Sequence, residues 1–148
     1  MPAERTALHA PMRIMGIHAT TTLDQAHETL NRLWTDWQDH KASRLPSFTL
    51  TVYCVYQYDD AKPDQVSITL GRLVALDLPT PDFAHETQLP AQDYLRYDVP
   101  DLEPQSLFDT WKLIEQTENL PRLFTTDFEA HPINGAPRIY IGVAAEKE

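Results

Sequence analysis

The feature that most constrains this chain is an order of elements that occurs twice. MRIMGIHATTT (Met12 to Thr22) reads as a strand. In LDQAHETLNRLWTDWQDH after it, Leu23, Ala26, Leu30, Leu33, Trp34 and Trp37 keep the three- and four-residue spacing of one helical face. Thr22 is the expected N-cap, with Asp24 and Gln25 in the first turn. FTLTVYCVYQY (Phe48 to Tyr58) is rich in β-branched and aromatic residues and reads as a strand. DDAKPD is a turn. QVSITLGRLVALDLP then alternates Val66, Ile68 and Leu70 with polar neighbours up to Gly71, where a bulge or a close backbone approach is expected.

The order then repeats. LPTPDFAHETQLP (Leu78 to Pro90) has no periodicity and reads as a crossing segment, and AQDYLRYDV follows as a strand. EPQSLFDTWKLIEQTE is a helix with Pro104 at or near its first position. FTTDFEAH and APRIYIGVA close the chain as two strands around the turn PING. The class implied is α+β, built from two tandem βαββ units over residues 12–78 and 90–144. Both helices carry tryptophan on the apolar face. The 148 residues make one domain, with residues 1–11 expected to be a flexible start.

Charge and composition exclude several functions. A net charge of −10, with twelve scattered Lys and Arg, argues against direct binding to nucleic acid or to an anionic membrane surface, and favours a cationic ligand. No stretch approaches the roughly 20 apolar residues of a spanning helix. One cysteine, Cys54, allows no intrachain disulfide, and a reducing, cytoplasmic location is the expectation. With glycine only at 16, 71, 135 and 142 there is neither a phosphate loop nor a dinucleotide fingerprint. The six histidines show no ligand-like spacing, so neither a metal nor another cofactor is expected.

Aromatic residues and one carboxylate remain. Trp34, Trp37 and Trp111 on helices, with Tyr53, Tyr56, Tyr94 and Tyr140 on strands, are either core packing or the wall of a cavity, and periodicity does not choose. On the strand FTTDFEAH, Asp127, Glu129 and His131 share one face while Phe128 and Ala130 share the other. Glu129 is then a solvated charge, or a desolvated carboxylate awaiting a cation or hydrogen-bond donors.

LGRLVALDLP, LPAQDYLRYDV, the helix containing Trp111, DFEAH and RIYIGV, in that order, resemble the GyrI-like effector-binding domains of AraC- and MerR-type multidrug regulators. The resemblance runs from Met12 to Ala144. It implies an antiparallel sheet with helices on one side and a concave cleft that takes bulky aromatic, often cationic, small molecules. Phe128-Glu129 matches the family's F-E pair, whose glutamate lies on the cleft floor, and His131 stands where an aromatic is usual. Tyr140 matches the aromatic of the closing strand, and Tyr53, Tyr56, Trp37 and Trp111 fall in segments that contribute cleft walls. Residues 1–11 leave no room for the helix-turn-helix domain of such regulators, so the reading is a stand-alone receptor, acting alone, as a homodimer or through a separate DNA-binding partner. The resemblance leaves two other functions open. One is hydrolysis of strained electrophiles, with Glu129 as general base and Tyr140 orienting the substrate; the other is a protein-binding inhibitor module.

Overall fold

The computed structural model describes residues 4–39, 41–47, 49–59 and 61–144. His40, Phe48 and Asp60, expected at a helix end, a strand start and a turn, lie outside the described residues. The elements are β1 (Glu4–Ala7), β2 (Met12–Thr22), α1 (Ala26–Trp37), β3 (Val52–Asp59), β4 (Lys62–Val74), β5 (His85–Leu89), β6 (Asp93–Asp98), α2 (Pro104–Gln116), β7 (Arg122–His131) and β8 (Arg138–Val143). Eight strands form one sheet in the order β1-β6-β8-β7-β3-β4-β2-β5, and each of these pairings is antiparallel. The fold is α+β, as expected.

The sheet order repeats. In the first half β3 pairs with β4 and β4 with β2; in the second β7 pairs with β8 and β8 with β6. The two triplets join where β3 meets β7. Two strands were not expected. Glu4–Ala7, assigned to a flexible start, pairs with β6 of the second half, and His85–Leu89, assigned to a crossing segment, pairs with β2 of the first. Each half thus lends its leading strand to the other.

Alternation along the strands gives the sheet two apolar faces. Both helices pack on one. Met15, Ile17, Cys54, Ile68 and Leu70 lie under α1, and Tyr97, Ile139, Ile141 and Val143 lie under α2. On the other face Ile14, Val55, Leu89, Tyr94 and Phe128 form a third cluster. These five come from strands at both ends of the sheet order, so the sheet curls to enclose them. The links β1–β2 and β5–β6 meet there, with the Leu8 amide donating to the Gln92 carbonyl at 2.9 Å. At Gly16 and Gly71, paired across β2 and β4, a Cβ would lie 1.8 Å and 2.5 Å from backbone oxygens, so the close approach expected at Gly71 is present.

Three local expectations are corrected. Residues Leu23–Gln25 form a separate 3-10 turn, which turns Leu23 outward (51% exposed) and off the α1 face. The Thr22 hydroxyl donates to the Asp24 carboxylate at 2.5 Å and caps no backbone amide. The third strand starts at Val52, later than expected; ahead of it the Ser47 and Thr49 hydroxyls accept from the Thr49 and Thr51 amides. Pro104 is the first residue of α2, as its missing N–H favours. Arg13, buried on β2, anchors the link to β5 through the carbonyls of Ala75 and Leu78, the Thr80 hydroxyl and the Glu86 carboxylate. No described helix is long and apolar enough to cross a membrane.

Candidate functional site

The β3–β7 seam pairs Val52 with His131, Cys54 with Glu129 and Tyr56 with Asp127, all on the helix-covered face. Two carboxylates therefore point into the protein from adjacent same-face positions. Their surroundings differ, and the difference defines the site.

Asp127 is wholly buried and fully paired. Its Oδ2 accepts from Arg122 Nη2 at 2.6 Å and from the Tyr58 hydroxyl at 2.9 Å, and Oδ1 accepts the Gly142 amide at 2.8 Å. A guanidinium never deprotonates in a protein, so this charge is permanently compensated. Burial first, and the Asp127 charge second, push the Tyr58 phenol upward, keeping it a donor.

Glu129 is 1% exposed and has no such partner. Its Oε2 accepts from the Tyr56 hydroxyl at 2.8 Å and from Trp111 Nε1 at 2.7 Å. Its Oε1 accepts from His131 Nε2 at 2.7 Å, and among the described residues that imidazole is its one ion-pair partner. Burial first, then the Cys54 and Glu129 charges, raise the Tyr56 phenol well above its ordinary range, so it too remains a neutral donor. Cys54 is raised in the same way, by burial and then by Glu129.

The rings around this carboxylate come from both helices. Trp111, on the sheet-facing side of α2, meets the Tyr56 ring edge-on with centroids 5.4 Å apart. Trp34, in the last turn of α1, meets His131 edge-on at 4.9 Å. Between the helices His27 of α1 touches Phe108 of α2 at 6.1 Å. The carboxylate is thus covered by Tyr56, Trp111 of α2 and His131, with Trp34 of α1 packed on the imidazole. The cleft expected to be open above Glu129 is closed here, because Tyr56, Trp111 and His131 fold onto its oxygens.

Of the residues expected at the site, the structure brings Glu129, Tyr56, Trp111 and His131 together. Tyr53, Phe128 and Tyr140 lie on the opposite face, as the two-residue period requires: Phe128 stacks on Tyr140 at 4.4 Å and 7° and is 6.0 Å from Tyr53. Trp37 is buried with Leu33 under α1, in line with Thr29 and Leu33 at four-residue spacing. Trp34, one of the possible cavity walls but not among the cleft residues that the resemblance implied, joins the group through His131; its sequence signal is its place with Ala26 and Leu30 on the flank of the same helix. Cavities of about 410 and 340 Å³ border α1 elsewhere, the first lined by Ile17, His18, Leu33, Asp36, Phe83 and His85 and the second by residues of β2 and α1. Among the described residues no group of three metal-ligating side chains comes together.

No protein-family model matches this sequence, and a comparison with curated proteins finds no match. Solved structures do share the fold. An integron cassette protein from the mobile metagenome of Vibrio cholerae aligns with a TM-score of 0.77 at 18% identity, covering 95% of each chain. SAV2435, solved bound to tetraphenylphosphonium, aligns at 0.72 and 14% identity, over 98% of this chain and 95% of that one. A Staphylococcus aureus MU50 protein described as a bacterial transcription regulation protein aligns at 0.77 and 13%, over 98% of this chain and 99% of that one. At these identities the likeness is one of fold.

Proposed function

We propose that this chain is a small-molecule receptor of the GyrI-like effector-binding kind, which takes a bulky aromatic cation between α1 and α2 against Glu129. The observation that carries the reading is the contrast between neighbouring buried carboxylates. Asp127 has a guanidinium; Glu129 has neutral donors and one imidazole. A desolvated carboxylate without a permanent counter-ion is costly, and a cationic guest offsets that cost. The surrounding indole and phenol rings favour the same guest, each good cation–π contact adding roughly 0.5–2 kcal/mol. SAV2435, with the same fold, was solved with such a cation.

Entry requires Trp111 and Tyr56 to swing off the carboxylate. Helix α2 is the lighter barrier, since it buries only Thr110 and Ile114 where α1 buries Thr29, Leu33 and Trp37. Loose shape selection and broad specificity follow from a site made of rings and one charge.

The test is a thermal-shift and tryptophan-fluorescence titration with tetraphenylphosphonium beside neutral triphenylphosphine oxide. The cation should raise the melting temperature with the logarithm of one plus its concentration over Kd, and alter Trp111 emission. A neutral compound that matches the cation in both readouts would overturn the reading.

A further inference from the structure

We infer that His131 is an exchangeable counter-ion: before a ligand binds, this imidazole carries a proton and pairs with Glu129, and a cationic ligand binds by displacing that proton. The inference rests on the cation-binding reading above and adds what the cation must replace.

Three observations lead to it. His131 Nε2 lies 2.7 Å from Glu129 Oε1, while Asp127, two residues before Glu129 on the same strand, is held by Arg122 instead. An imidazole gives up its proton in the neutral range and a guanidinium does not, so only Glu129 has a counter-charge that can leave. The His131 side chain is 20% exposed where that of Glu129 is 1%, so the proton has a route to water. Finally, Trp34 packs edge-on against the imidazole, which keeps the ring beside the carboxylate whichever charge it carries.

The titratable and charged groups around the His131–Glu129 pair are Asp127 with its Arg122 on the same strand, and Cys54 and Tyr56 on β3. Burial and the Glu129 charge hold both of the latter in their neutral forms. From α1 and α2 the pair meets the uncharged rings of Trp34 and Trp111. An imidazolium and a ligand cation cannot share one carboxylate without like charges a few ångströms apart in a desolvated site. The imidazolium therefore passes its proton to solvent buffer as the ligand enters: protonated receptor plus cation gives cation complex plus proton.

Tetraphenylphosphonium affinity should weaken as pH falls through the imidazole range, by up to about tenfold per pH unit for one exchanged proton. Calorimetry in two buffers of different ionisation heat should count up to one proton released per ligand. His131→Gln and His131→Phe, the second retaining a ring against Trp34, should each bind with a flat pH profile and release no proton. Wild-type binding without a pH slope or proton release overturns the exchange and leaves the receptor reading standing, as does an unchanged slope in both variants. Absence of wild-type binding at every pH overturns the receptor reading, and the exchange with it.

Discussion

Replacing Glu129 by glutamine removes the charge while keeping an oxygen for Tyr56 and Trp111 to donate to. The fold should survive, because a desolvated carboxylate is exchanged for a neutral acceptor of the same shape. Binding should not. A phosphonium centre shielded by phenyl groups approaches a carboxylate to about 6 Å, and at an effective dielectric near 20 the attraction is roughly 2–3 kcal/mol. That corresponds to about 30- to 150-fold in Kd. The assay is fluorescence titration of wild type and Glu129→Gln with tetraphenylphosphonium and with triphenylphosphine oxide, each protein first shown folded by its melting transition. The cation should lose that factor, and the neutral compound should change by less than about threefold, since its burial is untouched. Equal losses for the two ligands would refute the argument, because a change of site shape, not of charge, would then explain both.

Three other outcomes follow from the same contacts. Asp127→Asn should destabilise the protein by about 3–5 kcal/mol in urea unfolding, far more than Glu129→Gln, since it strands the largely buried Arg122 guanidinium; similar losses for the two variants would contradict the contrast drawn between the carboxylates. Cys54, protonated and buried, should resist iodoacetamide at pH 8 in the native protein and react only as urea unfolds it. His85 is held below its ordinary 6.5, first by burial and then by His18 stacked 3.7 Å away. The unfolded state therefore takes up this proton first, so stability is full above the unfolded value and declines as pH falls through it toward the folded one. His85→Asn should flatten that decline in melting temperature between pH 7 and pH 5.

Sequence periodicity carried the site part of the way. Alternation along FTTDFEAH placed Asp127, Glu129 and His131 on one face and Phe128 on the other, and the pairing of β3 with β7 shows that division. Alternation does not say which face the helices cover, and it was the resemblance that grouped Phe128, Tyr140 and Tyr53 with Glu129, although they pack among themselves on the far side. On α1, Trp34 and Trp37 share an apolar stripe. Only the docking of the helix turns one into the core and the other toward His131. The four residues of β1 and the five of β5 show no apolar alternation, since ERTA and HETQL are edge strands whose order comes from backbone pairing with a distant partner. Nor does any local pattern reveal that Arg122 compensates Asp127 and leaves Glu129 to an imidazole. That assignment depends on the backbone irregularity between Arg122 and Asp127, where Phe124 adopts a positive φ of 52°.

The exchange of β1 and β5 between halves governs how the molecule can be assembled. Neither half has a complete sheet until it receives a strand from the other, so neither is a folding unit, and a chain cut between them should recover its structure only when the two fragments are mixed. Tyr56 and Glu129 stand 73 positions apart, and their contact belongs to the slow class of long-range closures. The carboxylate is thus dehydrated only after both halves have interlocked. A nascent chain cannot capture a ligand here before its synthesis has passed β7.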